Sequence, residues 1–412
     1  MQVDLTGKSI LLGVTGSISV YKACDLARLF VKAGAQVHVV MTASAERFVS
    51  ALTFEALTRN PVLTEETESW SSELNHIDIG KKCNVFIIAP ATANTINKLA
   101  QGIADNILTQ TALAFQEKIL IAPAANTHML AKTATTNAMS FLQDNNYGIV
   151  NPQDKLLACG DVGNGGLAEP EEIFYEVSKA LNTDPFWNNR SVVVTGGGTR
   201  EKIDEVRYIS NFSSGKMAKS LSLALYLKGA NVTYISTMDF DALPSSIKPI
   251  KADDAQDILE ATKSVIEGVV RNSTKIPYLF MVAAVADFTP KTPQGGKLKK
   301  TALGEEWSIA LKQTTDILVT LDKSDIKTVG FKAEMDTLEG LNNAVSLLSK
   351  KNVDAVCYNL LQDAKSFGGN DNEITFITKN AQIPLGRADK LTLSGKILDE
   401  AKKLIHKEED NV

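Results

Sequence analysis

The sequence predicts an α/β protein made of two doubly wound, Rossmann-like domains whose sheets are mostly parallel. Strand-length apolar runs alternate with amphipathic helical segments in both halves of the chain. Most of these runs are apolar on both faces, which is typical of parallel strands covered by helices on each side. The chain has 412 residues, and at roughly 150 residues per domain this length predicts two or three domains.

The first half opens with a strand, a glycine-containing turn and a helix. The run SILLGV ends just before the turn, and QVHVVM follows the helix as a second strand. Gly34 stands where a glycine commonly ends a helix. Apolar residues at helical spacing fall on one face between the two strands: Val20, Ala23, Leu26, Ala27, Phe30 and Val31.

The second half opens in the same way. The strand SVVVTGGGT is followed by a polar stretch, the helix SGKMAKSLSLALYLKGA with Gly229 at its end, and the strand NVTYIST. Between the halves, the segment LNTDPFWNNR at 181–190 contains Asn, Asp and Pro, which stop a helix. We therefore predict one domain at 1–189 and a second at 190–412.

Composition excludes several classes of protein. With 48 acidic and 43 basic residues the net charge is −5, whereas proteins that bind phosphate backbones usually carry a basic face. No apolar run approaches the ~18 residues of a membrane span, and the N-terminal segment lacks the pattern of a secretory leader. The four cysteines and four histidines are too scattered for a zinc site or disulfide framework. We expect a cytoplasmic protein that binds neither nucleic acid nor membrane.

Several loops of the first half have the chemistry of a binding site. The turn at 13–17 follows a strand and opens a helix, so its backbone N–H groups suit a phosphate, although a plain tight turn is an equal alternative. Asn94 and Asn126 follow strands that end in Ala-Pro, where amides suit the polar edge of a planar ring or merely cap a helix. His76 stands alone, and such a histidine is usually structural. Cys159 lies in ACGDVGNGG, a glycine-rich loop typical of a flap over a site.

The second half has its own polar loops. Gly215-Lys216 resembles part of a P-loop, but Ser210 and Met217 occupy positions that the motif reserves for other residues, so this interpretation fails. Ser213 and Ser214 resemble a helix N-cap able to hold an anion. A lysine run follows at Lys297, Lys299 and Lys300, which indicates either a solvated loop or one that closes over a triphosphate.

Taken together, these strings resemble a known enzyme family. The order GVTGSISVYK, HIDIGK, APATANTINKLAQGIADNIL, APAANTHM and ACGDVGNGG resembles a flavin-dependent cysteine decarboxylase domain. The order GGGTREKIDEVRYISNFSSGKM, AAVADF, KLKK, VGFKAE and FGGNDNEI resembles a phosphopantothenate–cysteine ligase domain. Their fusion is similar to the bacterial bifunctional coenzyme A biosynthesis family. The resemblance implies a flavodoxin-like flavoprotein half and a Rossmann-like ligase half.

The resemblance implies two successive reactions. The second half would use CTP and Mg²⁺ to convert the carboxylate of 4'-phosphopantothenate into an acyl-cytidylate, from which the amine of cysteine displaces CMP. The first half would use FMN to oxidise the thiol end of that product, so that CO₂ leaves before the electrons return to give 4'-phosphopantetheine. The family also implies a homo-oligomer, with decarboxylase trimers and ligase dimers that combine into a dodecamer.

The resemblance assigns roles residue by residue. His76 matches the base of the oxidative step, Asn126 the group that holds the substrate carboxylate, and Cys159 the proton donor during reduction. Asn211 and Lys297 match catalytic residues of the ligase half. The matching FMN contacts are Gly16, Ser17, Thr42, Ser44, Thr92 and Asn94. The positions that match the CTP and acyl-cytidylate site are Arg207, Ala283, Asp287, Thr315, Asp316, Ile317, Leu318, Phe331 and Lys351.

The chain departs from the family pattern at several positions. Ala125 replaces a usual Met, Gly166 a usual Arg, and Leu347 a usual Lys for which Lys350 is an alternative. We expect altered affinity from these departures. Two rival functions stay open: another flavin-dependent decarboxylase or prenyl-transferring relative, which would explain the first half only, and a non-enzymatic regulatory homologue.

Overall fold

A computed structural model describes residues 2–157, 160, 162–299, 305–335, 337–360 and 368–405. Contacts divide the chain into two compact units, Gln2–Asn182 and a second that begins at Thr183. Residues 183–190 belong to the second unit because their side chains pack into it. The buried Arg190 donates from Nη1 to Ile276 O at 2.6 Å, and Trp187 packs edge-on against Tyr278 with ring centroids 5.0 Å apart.

The first unit alternates strands with helices. Its strands are β1 (Ser9–Val14), β2 (Gln36–Met41), β3 (Val62–Leu63), β4 (Val85–Ala91), β5 (Lys118–Pro123), β6 (Gly148–Ile149), β7 (Gln153–Leu156) and β8 (Val162–Gly166). Its helices are α1 (Val20–Lys32), α2 (Ala43–Glu46), α3 (Ala51–Thr58), α4 (Asp78–Lys81), α5 (Ala93–Gln101), α6 (Ile107–Ala114), α7 (Thr127–Leu130), α8 (Thr133–Asp144) and α9 (Pro170–Asn182).

Six of these strands form one parallel sheet in the order β3-β2-β1-β4-β5-β6, while β7 and β8 form a separate antiparallel hairpin. All seven residues of β4 are buried, because helices cover the sheet. The doubly wound α/β prediction is confirmed. Without the two-residue edge strand β3, the order β2-β1-β4-β5-β6 is the flavodoxin-like order 2-1-3-4-5, and β3 extends it to the Rossmann-like order 3-2-1-4-5-6.

The second unit follows the same plan with additions. Its strands are β9 (Ser191–Gly196), β10 (Glu201–Lys202), β11 (Tyr208–Ile209), β12 (Asn231–Ser236), β13 (Lys248–Lys251), β14 (Tyr278–Met281), β15 (Phe288–Pro290), β16 (Leu311–Gln313), β17 (Lys327–Glu334), β18 (Ala355–Leu360), β19 (Asp371–Thr378) and β20 (Gln382–Asp389). Its helices are α10 (Lys216–Leu227), α11 (Ala255–Asn272), α12 (Ile317–Thr320), α13 (Thr337–Lys350) and α14 (Lys390–Ala401), followed by a 3₁₀ turn at Lys402–Leu404.

The main sheet of the second unit has eight strands in the order β13-β12-β9-β14-β17-β18-β19-β20. The first six are parallel, and β19 and β20 add an antiparallel edge. This confirms the mostly parallel prediction. The prediction that Ser213 and Ser214 resemble the N-cap of α10 is wrong. The N-cap is Gly215, with φ of 68°, and no side chain accepts a capping hydrogen bond at this end of the helix. Such a left-handed conformation favours glycine over serine.

Candidate active sites

A cavity of about 760 Å³ opens beyond the carboxyl ends of β1, β2, β4 and β5. This is the edge where open α/β sheets bind ligands, and β1 and β4 flank the point at which strand order reverses. The described lining includes Asn126, which the resemblance matches to the group that holds the substrate carboxylate. It also includes all six residues that the resemblance matches to FMN contacts: Gly16, Ser17, Thr42, Ser44, Thr92 and Asn94.

Close packing of backbone shapes the floor of this first cavity. An ideal Cβ on Gly16 would lie only 2.5 Å from Ser44 Cβ and 3.0 Å from the Ser44 carbonyl. Thr42 and Thr92 begin α2 and α5, and their hydroxyls accept backbone N–H groups of those helices. Glycine at position 16 therefore lets two loops approach each other and present backbone N–H groups to the cavity.

A buried hydroxyl joins the loops after β1 and β4. Thr15 Oγ1 donates to Pro90 O at 2.7 Å and accepts the Thr92 N–H at 3.0 Å. The second unit has a counterpart. Thr195 Oγ1, near the end of β9, accepts the N–H groups of Val282 and Ala283, each at 3.2 Å. Each threonine thus ties the two sides of a crevice at the position where strand order reverses.

The β7–β8 hairpin lies against the loop that carries Asn126. Ala125 N donates to Gly165 O at 3.1 Å, and an ideal Cβ on Gly165 would meet Ala125 O at 2.2 Å. Asn126 is the N-cap of α7, and its Oδ1 accepts a hydrogen bond from the His128 N–H at 2.9 Å. The glycines of this hairpin therefore serve close approach to the Asn126 loop. Cys159 lies outside the residues that the structure describes.

His76 is not among the residues that line the first cavity. Its Nδ1 lies 2.6 Å from Glu68 Oε1, and its ring meets the edge of Trp70 with centroids 5.7 Å apart. The imidazole is 24% exposed, and Trp70 is 65% exposed. The structure therefore places His76 apart from the matched residues that line the first cavity.

The second cavity, also about 760 Å³, opens at the corresponding edge of the second sheet. Asn211 Nδ2 donates to Val285 O at 3.0 Å, which fixes the amide beside the loop after β14. Asp316 begins α12 and forms an ion pair with Lys351. The lining includes most residues that sequence matched to the cytidine nucleotide site: Asn211, Ala283, Asp287, Thr315, Asp316, Ile317, Leu318, Phe331 and Lys351.

The second cavity contains more ammonium groups than carboxylates. Lysines in its described lining are Lys216, Lys332, Lys351 and Lys390, against the acids Asp287 and Asp316. Lys216 Nζ donates to Gly368 O at 2.8 Å and to Asn370 Oδ1 at 3.0 Å. Burial, followed by the neighbouring Lys216 ammonium, lowers the pKa of Lys390. In the sequence, Lys216 appeared only in the rejected P-loop interpretation, and Lys332 and Lys390 were missed. The excess positive charge suits a polyanion.

Lys297 and Arg207 do not line the second cavity. Lys297 is exposed, and Arg207 donates to Asp204 Oδ2 and to Leu298 O while its guanidinium lies 4.9 Å from the Trp307 ring centroid. The Arg207 guanidinium holds the pKa of the buried Asp204 carboxyl well below its usual range. Arg207 therefore anchors the segment that carries Lys297.

Leu347 packs with the apolar cluster of α13 and β18 instead of facing the cavity, and Lys350 is exposed and also outside the cavity lining. Neither residue supplies a cation to the described lining. The departure at Leu347 therefore falls on the core of the second unit.

Comparison with known proteins gives the chain a family. Residues 1–182 match the flavoprotein family, and residues 187–405 match the DNA/pantothenate metabolism flavoprotein C-terminal domain. The coenzyme A biosynthesis bifunctional protein CoaBC of Bacillus subtilis is 40% identical over 406 residues, which cover 96% of this chain and 97% of that protein. The chain belongs to the family of bifunctional coenzyme A biosynthesis proteins.

Other bifunctional coenzyme A biosynthesis proteins match over the same length. That of Haemophilus influenzae is 35% identical, with 97% of this chain and 98% of that protein covered. A crystal structure of the C-terminal domain of such a protein is 28% identical over 54% of this chain and 98% of that chain, with a TM-score of 0.43. As a member of this family the chain is an enzyme with phosphopantothenoylcysteine decarboxylase and phosphopantothenate–cysteine ligase activities, and its first half is a flavoprotein domain.

Proposed function

We propose that the first unit, Gln2–Asn182, carries the decarboxylase and that the second unit, which begins at Thr183, carries the CTP-dependent ligase, each in the cavity at the carboxyl edge of its own sheet. The observation that supports this assignment is the grouping of matched residues around two separate cavities. Residues far apart in sequence, such as Gly16 and Asn126 or Asn211 and Lys351, border a common space in each unit.

The first cavity fits FMN. Its volume is typical of a small-molecule site. The missing Cβ of Gly16 lets the turn after β1 pack against Ser44, and we propose that backbone N–H groups of these two loops form a cradle for a phosphate. The proposed FMN contacts are Gly16, Ser17, Thr42, Ser44, Thr92 and Asn94. When bound, FMN supplies the reversible two-electron oxidation of the substrate's thiol end.

The chain's own residues orient the substrate and handle protons. Asn126, fixed by its bond from His128 N, would hold the substrate carboxylate until it leaves as CO₂. His76 would remove a proton in the oxidative step, and Cys159 would return one during reduction. Nδ1 of His76 would donate its hydrogen bond to Glu68 Oε1, which leaves Nε2 as the ring atom available for catalysis.

The separation of His76 from the first cavity supports a homo-oligomer. Because His76 does not line the cavity of its own chain, we propose that another copy supplies this histidine to the cavity. We infer that the first halves associate as trimers, and that dimers of ligase domains would join these into a dodecamer.

The second cavity fits a nucleotide triphosphate with its counter-ion. The lysines of the lining would neutralise phosphate charge in CTP, Asp287 would accept hydrogen bonds from ribose or base, and Asn211 would hold the acyl-cytidylate. Within the described residues no three His, Cys, Asp or Glu side chains form a metal site. We propose that Mg²⁺ enters with the phosphates, because Mg²⁺ usually keeps its waters and few protein ligands.

Lys297 and Arg207 would act on the nucleotide although neither lines the second cavity, and Lys297 belongs to a segment that Arg207 contacts at Leu298. Arg207 anchors this segment through Asp204 and Leu298 O, and we propose that Lys297 reaches the nucleotide phosphates when the segment closes. The substrates are 4'-phosphopantothenate, cysteine and CTP.

No helix in the described part of the chain is long and apolar enough to cross a membrane.

The test is an end-point mass spectrum of the full chain with phosphopantothenate, cysteine, CTP and Mg²⁺. We expect phosphopantetheine as the product. Accumulation of phosphopantothenoylcysteine would contradict the decarboxylase assignment and direct attention to Ala125 and Gly166. Unchanged substrate would contradict the use of CTP, and the same reaction with ATP would then identify the nucleotide.

A further inference from the structure

Three charged side chains meet at the rim of the first cavity and have no role in the reaction described above. Lys22, in the first turn of α1, and Lys155, on β7, both line the cavity. Lys22 Nζ is 2.7 Å from Glu169 Oε2, and Lys155 Nζ is 3.2 Å from Glu169 Oε1. One carboxylate thus neutralises one of two ammonium groups, and this lysine pair with Glu169 keeps a formal charge of +1.

The hairpin holds Lys155 in this place. Its Nζ also donates to Leu167 O at 2.6 Å, and its stem occupies the space beside Gly166, where an ideal Cβ would lie 2.0 Å from Lys155 Cε. The Lys155 side chain is 29% exposed and that of Lys22 only 14%. Burial, followed by the nearby Lys22 ammonium, lowers the pKa of Lys155, whereas the Glu169 carboxylate raises the pKa of Lys22 although burial opposes this.

The decarboxylation brings two phosphate monoesters to this one cavity. FMN carries one, for which the turn at Gly16 and Ser17 is the proposed site. Phosphopantothenoylcysteine carries the other, at the end remote from its cysteine. Each lysine ammonium has three N–H donors, and the described contacts of Lys22 and Lys155 use one and two of them respectively. The pair therefore retains both charge and donors for a second anion.

We propose that Lys22 and Lys155, held together by Glu169, bind the phosphate of phosphopantothenoylcysteine and select against substrates that lack it. This inference rests on the proposed function of the first half. Gly166 contributes because it has no side chain and leaves space for the aliphatic part of Lys155. The cation at this rim therefore comes from Lys155 on β7, and not from the Arg that is usual at position 166.

The experiment uses the full chain loaded with FMN. Calorimetry compares the binding of phosphopantetheine and of pantetheine to the wild type, Lys155→Met and Lys155→Arg, and CO₂ release measures decarboxylation of phosphopantothenoylcysteine. Lys155→Met should weaken phosphopantetheine binding about 10-fold, the worth of one charge-assisted bond. Pantetheine binding should not change, and Lys155→Arg should keep most of the discrimination between the two ligands. In decarboxylation, KM should rise more than kcat falls.

Lys118→Met is the matched control. Lys118 begins β5 at the opposite edge of the sheet, where its Nζ binds Asn146, and this change should leave both ligands bound as in the wild type. Equal losses for both ligands in Lys155→Met, or no loss for either, would overturn the proposal. Loss of flavin absorbance would also overturn it, because the lysine pair would then hold the phosphate of FMN. Failure of the proposed function is distinct: the wild type itself would release no CO₂, and the two binding constants would still decide the inference.

Discussion

Replacement of Gly16 by alanine tests whether the approach of two loops creates the flavin-phosphate cradle. The new Cβ would lie 2.5 Å from Ser44 Cβ, so the loops must separate by about 1 Å to reach an ordinary contact. We expect this overpacking to destabilise the first unit by ~1–3 kcal/mol. A hydrogen bond of ordinary length is lost when stretched by 1 Å. Loss of one charge-assisted bond to phosphate would weaken FMN binding about 10-fold.

The assay is fluorescence titration of the apoprotein with FMN, accompanied by urea unfolding of the same preparation. Gly268→Ala is the control, since Gly268 lies within α11 with nothing within 4 Å of an ideal Cβ. That change should leave FMN binding unchanged and raise stability by ~1 kcal/mol. An FMN affinity for Gly16→Ala within twofold of the wild type, in a folded protein, would refute the cradle argument.

Three further predictions concern chemistry and stability. Cys159→Ser should leave ligation intact while phosphopantetheine no longer forms, and normal phosphopantetheine output in the mass spectrum would remove Cys159 from the mechanism. Asn211→Asp should slow amide formation at least 10-fold, because a carboxylate repels the anionic acyl-cytidylate; an unchanged rate of CMP release would contradict this. The folded pKa of Asp204 lies below its unfolded value near 3.9, so its stabilising contribution is complete above that pH and is lost as pH falls. The difference in urea midpoint between wild type and Asp204→Asn should therefore shrink from pH 5 to pH 2, and a constant difference would argue against this ionic contact.

The sequence predicts the alternation of strands and helices well because that signal is local. The spacing that places Val20, Ala23 and Phe30 on one face predicts α1, and these residues are buried in the structure. The glycines at 34 and 229 follow α1 and α10 with φ near +90°, as expected for the ends of helices. Strand order carries no local signal, so the flavodoxin-like expectation for the first sheet came only from the family resemblance.

The candidate sites were predicted in part. Family-matched residues at strand ends, such as Thr92 and Asp287, border the cavities because parallel strands end at one edge of a sheet. Neither Lys155 nor Lys390 follows a central parallel strand, so this rule did not predict them. The β7–β8 hairpin brings Lys155 to the first cavity, and the end of the edge strand β20 brings Lys390 to the second. The N-cap of α10 was predicted wrongly at Ser213 and Ser214, because a serine side chain that could cap a helix does not indicate the φ angle of the residue that follows it.

The two buried threonines, Thr15 and Thr195, have a consequence for the energetics of ligand binding. Each holds the opposite sides of a crevice at a set spacing in the free protein, so a ligand need not order those loops when it enters. Preorganisation of this kind reduces the conformational entropy lost on association. The two units are proposed to catalyse unrelated reactions, yet each fixes its crevice with one hydroxyl group in the same topological position. The affinity of each site is therefore set partly in the ligand-free chain, by a side chain whose role is to keep two loops from moving apart.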